Sequence, residues 1–122
     1  MIQGAIEDGL YPRLAITLHS KSGPIPMKTL VDSGFDGQLA IPYFAADHLQ
    51  LEVVRLADVT YANGQKTEEI LCHGEIFWHN ELRSIEIVLS DDEEPAIGTG
   101  LLGGCIVTMD FVTDTLSISK SA

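Results

Sequence analysis

The sequence predicts an all-β domain. Three observations carry that reading. Short apolar runs are broken throughout by Gly, Pro, Asn and Asp, the texture of strands separated by turns. Leu14, Ile16 and Leu18 alternate with Ala15, Thr17 and His19, the period-two pattern of a half-buried strand. Asn63-Gly64 is the strongest hairpin signal in the chain. At 122 residues with 45% apolar content, residues 1–122 form a single domain able to bury a core without staples.

The elements follow in order. After the strand centred on Ile16, Ser20-Lys21-Ser22-Gly23-Pro24 supplies turn chemistry and residues 25–31 form a second strand. Pro24 and Pro26 belong at its start or on an edge, because proline donates nothing to a ladder. Residues 42–49 are the helix candidate: Pro42 suits a first turn, and Phe44, Ala45, His48 and Leu49 fall at helical spacing. Strand texture resumes over residues 53–61, which run into Asn63-Gly64. A type I′ turn there needs positive φ at both central residues. Residues 66–72 return from it. A further hairpin spans residues 74–89 and turns near Asn80, and residues 91–95 are a solvated acidic loop. The last third holds a glycine-interrupted apolar segment, then Val107, Met109 and Phe111, then Leu116 and Ile118.

Charge narrows the partners. Seven Lys and Arg stand against 18 Asp and Glu, a net charge of −11. Nucleic-acid binding needs basic side chains to neutralise phosphates, so no nucleic-acid partner is expected, and anionic membrane surfaces are disfavoured for the same reason. No run approaches the ~20 apolar residues of a membrane span. Residues 1–10 lack the basic start and apolar run of a signal peptide, so a cytoplasmic location is expected. Cys72 and Cys105 are too few for a disulfide framework, have no metal-ligand spacing, and are expected to be core thiols.

The segment richest in chemistry is Leu30-Val31-Asp32-Ser33-Gly34-Phe35-Asp36-Gly37. It puts a carboxylate on a tight loop at the end of an apolar strand. A neighbouring hydroxyl can fix the backbone, and the glycines admit close approach. On residue chemistry alone it also reads as an ordinary Asx turn. Ser33 has no Gly-x-Ser-x-Gly context, so a serine hydrolase is not indicated. Asp32, Gly34, Asp36 and Gly37 echo a calcium loop but lack its distant Glu. His73, Glu75 and His79 share a strand face. The two histidines, however, would stand roughly 20 Å apart, too far for one ion, so no metal site is expected. Trp78 falls on the face of Ile76 and belongs to the core.

A second segment, Ala96-Ile97-Gly98-Thr99-Gly100-Leu101-Leu102 followed by Val107-Thr108-Met109-Asp110-Phe111, completes a pattern. Together with Asp32-Ser33-Gly34, it resembles the retropepsin-like aspartic proteases. Their monomers carry one apolar-apolar-Asp-(Thr/Ser)-Gly loop, a later apolar-apolar-Gly motif, a short Leu-Leu helix and a closing strand. The resemblance spans residues 14–118. It implies a closed, barrel-like β-sheet with one or two short helices. By the same resemblance Asp32 is the catalytic aspartate. Ser33 and Gly34 complete the active-site loop, with the Ser33 hydroxyl bracing two such loops across a dimer. Asp36 and Gly37 lie in the substrate-binding stretch. Tyr61-Ala62-Asn63-Gly64-Gln65 stands where the family carries its flap, which gives Ala62, Asn63 and Gly64 substrate contacts. Ile97 and Gly98 pack beneath the catalytic loop. Thr99 stands where viral members often have Arg, and Phe35 is bulkier than the usual residue, which would narrow the substrate groove. Gly103-Gly104 weakens the terminal helix, and the flap is more polar than is typical.

The implied function is an aspartic endopeptidase acting on peptide or protein substrates as a homodimer. One chain offers one such Asp, so two chains must bring their Asp32 carboxylates together at a two-fold axis. Carboxylates ~3 Å apart share one proton. The ionised member takes a proton from water and the protonated member polarises the scissile carbonyl. The implied mechanism uses no metal or cofactor. A different class of function on the same fold is a catalytically silent dimerisation or peptide-binding module.

Overall fold

The computed structural model describes residues 1–60 and 62–121, with side chains except those of Asp47, Arg55, Ala57 and Val59. The chain begins with β1 (Ile2–Glu7), β2 (Tyr11–Ser20), β3 (Gly23–Val31) and β4 (Leu39–Pro42). It continues through α1 (Tyr43–Leu49), β5 (Glu52–Thr60), β6 (Lys66–Trp78), β7 (Glu81–Ser90) and β8 (Ala96–Ile97). It ends with α2 (Thr99–Leu102), β9 (Cys105–Asp110) and β10 (Thr115–Lys120). The all-β expectation holds, with two short helices. Residues 2–7, which the sequence reading left without an element, form β1. Tyr61, the expected last residue of the strand over residues 53–61 and first of the flap, lies outside the described residues.

All ten strands belong to one sheet in the order β5-β6-β7-β4-β8-β3-β2-β1-β10-β9. A short extra pairing of β2 with β6, Leu18 opposite Ile76 and His19 opposite Glu75, brings the middle of that series back on itself. The result is a partial ring rather than a full barrel: β5 and β9 end the sheet as open edges. Alternation sets the inner face. Leu14, Ile16 and Leu18 are buried on β2, Ile85 and Ile87 on β7, and Leu116 and Ile118 on β10. The Thr29 hydroxyl, also buried, is satisfied by donating to the Leu14 carbonyl at 2.9 Å.

Two helices pack against the core of the sheet. Pro42 sits at the N-cap of α1, one residue earlier than expected, and Gln50 ends the helix in the left-handed conformation at φ 49°. Leu49 is buried and Ala45 and Ala46 pack on the core, whereas Phe44, expected on the apolar face, is exposed. The α2 turn buries Leu101 and stops at Gly103, as the glycine pair foretold.

The two hairpin signals exchange roles. His79 and Asn80, with φ of 52° and 65°, are the paired positive-φ residues of a two-residue turn between Trp78 and Glu81. At Asn63-Gly64 only the glycine is left-handed. The β5–β6 loop there is longer, closed by Thr60 opposite Lys66. The Asn63 side chain accepts from the Gln65 N–H at 2.9 Å, an Asx turn in place of the expected type I′ geometry. Among the described residues no helix is long and apolar enough to cross a membrane.

Candidate active site

Asp32 follows directly on β3, where that strand runs parallel to β8 through Leu30 opposite Ala96 and Val31 opposite Ile97. The pairing continues one step further, because the Asp32 N–H donates to the Ile97 carbonyl at 2.9 Å. The carboxylate therefore hangs from backbone held by a buried strand. Beyond it the chain turns sharply: Phe35 N–H donates to the Asp32 carbonyl at 3.2 Å, and Gly34 N–H to Asp32 Oδ1 at 2.9 Å. That last bond orients the carboxylate and is the Asx geometry read from sequence.

The loop is clamped from below by the apolar-apolar-Gly segment. Phe35 is 2% exposed, and its carbonyl accepts from both the N–H of Thr99 at 2.8 Å and its hydroxyl at 3.2 Å. Gly98 N–H donates to the Gln38 carbonyl and Gly100 N–H to the Gly37 carbonyl. Gly98 is obligatory on steric grounds. A Cβ there would collide with the Gly37 carbonyl oxygen and stand 2.5 Å from the oxygen of Phe35. The expectation that Phe35 narrows a substrate groove is overturned: its ring lies under the loop, over Gly37 and Gly98, in a small cluster with Ala40, Leu71, Val88 and Ala96. Its bulk fills the floor. Thr99 ties α2 to the loop.

From above, the β5–β6 hairpin reaches the same loop. A Cβ on Gly34 would strike the Ala62 side chain and come within 2.7 Å of Ala62 Cα, so the hairpin tip rests directly on the Asp-Ser-Gly turn. Asp32, Gly34 and Ala62 are thus brought together. Asn63 and Gly64 occupy the exposed tip, Ser33 is exposed on the loop, and Asp36 and Gly37 face α2 through backbone contacts.

A cavity of about 270 Å³ opens beside Asp32, lined by Leu30, Asp32, Asp92, Glu93, Glu94 and Ala96. The sequence reading assigned the acidic run to solvent. Its signal was position: it immediately precedes the strand that holds Asp32, so its side chains fall at the mouth of the site. Glu94 is anchored by Arg13, whose Nε and Nη2 each donate to its carboxylate at 3.2 Å. Arg13 also bonds Glu7 at 3.0 Å, and Lys28 reaches Glu7 at 2.6 Å. Hydrogen bonds donated to Glu94 and Glu7 raise the Arg13 guanidinium above its ordinary value, while those accepted from Lys28 and Arg13 hold Glu7 below the usual carboxylate range.

The other residues noted in the sequence lie elsewhere. His73 is exposed on β6 and His79 sits in the β6–β7 turn, so the two are not brought to one point. Cys72 is buried, and burial pushes its thiol up. Cys105, expected in the core, is half-exposed at the start of β9, where its sulfur meets His79 Nε2 at 3.6 Å. Trp78 is buried as expected.

No family model matches the chain, and neither does any curated protein. Among solved structures it is similar to a retropepsin-like aspartic protease from Rickettsia conorii, with a TM-score of 0.64 over 98% of this chain and 89% of that one. At 19% identity the likeness is one of fold. The fold of this chain is retropepsin-like.

Proposed function

We propose that the protein is an aspartic endopeptidase, active as a homodimer that pairs Asp32 of one chain with Asp32 of a second. The observation that carries this reading is the placement of Asp32. Its carboxylate is oriented by the Gly34 N–H, its backbone is held by β8, and the β5–β6 hairpin tip rests on the same turn at Ala62. A carboxylate merely closing a turn needs neither the clamp of Gly98 and Thr99 below nor a hairpin above.

The chemistry follows from two such loops meeting at a two-fold axis. Two close carboxylates hold one proton between them. The ionised oxygen accepts a proton from water as that water attacks the scissile carbonyl carbon. The protonated partner donates to the carbonyl oxygen, giving a tetrahedral diol. Collapse of the diol breaks the C–N bond as a proton passes to the leaving nitrogen. The hairpins lie over the extended peptide and exclude solvent, and Asp36 and Gly37 flank its path.

A second reading, a peptide-binding module that does not hydrolyse, draws on the polar hairpin tip, where Asn63 and Gln65 bond each other. Digestion of a peptide library between about pH 4 and 7 by wild type and Asp32→Asn separates the two. The substitution keeps size and removes the ionisable group the dyad needs. Cleavage that vanishes in the variant is the expected outcome. Cleavage that survives removes Asp32 from the mechanism, and silence from both proteins favours the binding module.

A further inference from the structure

The cavity beside Asp32 combines three features. Its floor is apolar, made by Leu30 and Ala96. Its rim is acidic on the side of residues 92–94. Asp32 also lines it, so whatever fills the cavity lies beside the residue proposed to act on the peptide bond. The rim carboxylates are not equivalent. Glu94 is neutralised by Arg13, and the positions of both are locked by the chain of contacts to Glu7 and Lys28. Asp92 and Glu93 are exposed and make no ion pair among the described residues. They present unpaired negative charge over an apolar floor.

We propose that this cavity receives a Lys or Arg side chain of the substrate residue beside the scissile bond, with Asp92 and Glu93 as the specificity-determining residues. The inference rests on the endopeptidase reading of Asp32. A long basic side chain is amphipathic: its methylene stem can lie on Leu30 and Ala96 while the cationic head reaches the rim. A purely aliphatic side chain would fill the floor and leave the carboxylates unpaired. An acidic one would meet like charge in a partly enclosed space, where repulsion is stronger than in bulk water. Two-fold symmetry doubles the consequence. Each protomer contributes one cavity, so a peptide crossing the dyad meets a basic-selective pocket on both sides of the cut bond. The net charge of −11 per chain steers cationic peptides toward the same place.

The test uses peptides that differ only beside the scissile bond, carrying Lys, Arg, norleucine or Glu there. Both cleavage by wild type and binding to wild type and Asp32→Asn, by fluorescence anisotropy, are measured. Wild type is expected to favour Lys or Arg over norleucine by about tenfold in kcat/KM, and over Glu by more, with the ratio shrinking as salt rises. Asp92→Lys with Glu93→Lys should invert the Lys-to-Glu ratio. Asp91→Asn, a loop carboxylate that does not line the cavity, should keep the wild-type ratio. Cleavage with no basic preference, or a ratio unmoved by the double reversal, overturns the pocket and leaves the protease reading standing. Absent cleavage with rim-dependent binding of the Lys peptide overturns the protease and leaves the pocket. Absence of both overturns both.

Discussion

Gly98 and Gly34 illustrate how much the site depends on missing side chains, and they differ in a way that can be measured. A methyl group at Gly98 meets backbone oxygens of Gly37 and Phe35, which are fixed by hydrogen bonds and cannot retreat. Gly98→Ala should therefore cost about 3 kcal/mol or more in denaturant unfolding. At Gly34 the obstacle is Ala62, on an exposed hairpin tip that can lift away. Gly34→Ala should cost under about 1 kcal/mol yet reduce peptide cleavage roughly tenfold, because the lid no longer seats. Comparable losses of stability in the two variants would mean that the hairpin is as rigid as the loop. At this scale the Asx turn from Asp32 to Gly34 was legible because its residue types are dictated by local chemistry, whereas its reading as an active-site loop came from the family resemblance. The burial of Phe35 and the left-handed φ of His79 were not, since each is decided by packing from distant strands.

At the scale of elements, the contacts of Arg13 hold three segments in register: β1 through Glu7, β2 through its own backbone, and the acidic loop through Glu94. Arg13→Gln should free that loop first. Faster amide exchange at residues 91–94 is expected, with little change in β9 and β10. Glu7, in the Arg13 network, and Asp110, at the end of β9, give the fold a pH dependence. Glu7 is held low by Lys28 and then Arg13, and Asp110 by the N–H groups of Thr113 and Val112. A carboxyl whose folded value lies below its unfolded one stabilises fully above the unfolded value, near 4. That contribution is lost as pH falls through the folded value. The urea midpoint should hold steady from neutral pH to about 5 and decline below, less steeply in Glu7→Gln. Alternation and turn residues made most strands readable. β1 was missed because its apolar positions Ile2 and Ile6 are few, and the cross-strand partner of Ile2, Ile118, lies more than a hundred residues away. The turn near Asn80 was expected, but its paired positive φ at His79 and Asn80 was not, because the pairing of β6 with β7 imposes it on residues with no glycine signal.

For the whole molecule, the proposed dimer brings together two chains of −11, a combined −22. Self-repulsion then opposes association at neutral pH and low salt. Sedimentation should show tighter dimers as pH falls toward 5 or salt rises. Equal affinity across those conditions would mean that the contact surfaces lie far from the excess charge. Acid strengthens association while removing the support of Glu7 and Asp110, so cleavage should peak above the pH at which the urea midpoint begins to fall.

The pairing of β1 with β10, Ile2 opposite Ile118 and Ala5 opposite Thr115, also has a temporal side. During synthesis Ile6, Leu14 and the strands around them emerge long before Leu116 and Ile118, the residues that cover them. The nascent chain therefore exposes an uncovered apolar face, with an unpaired β1 edge, until β10 has left the ribosome. Only then does the inner face close, and chaperone occupancy of ribosome-bound intermediates should persist until β10 is released.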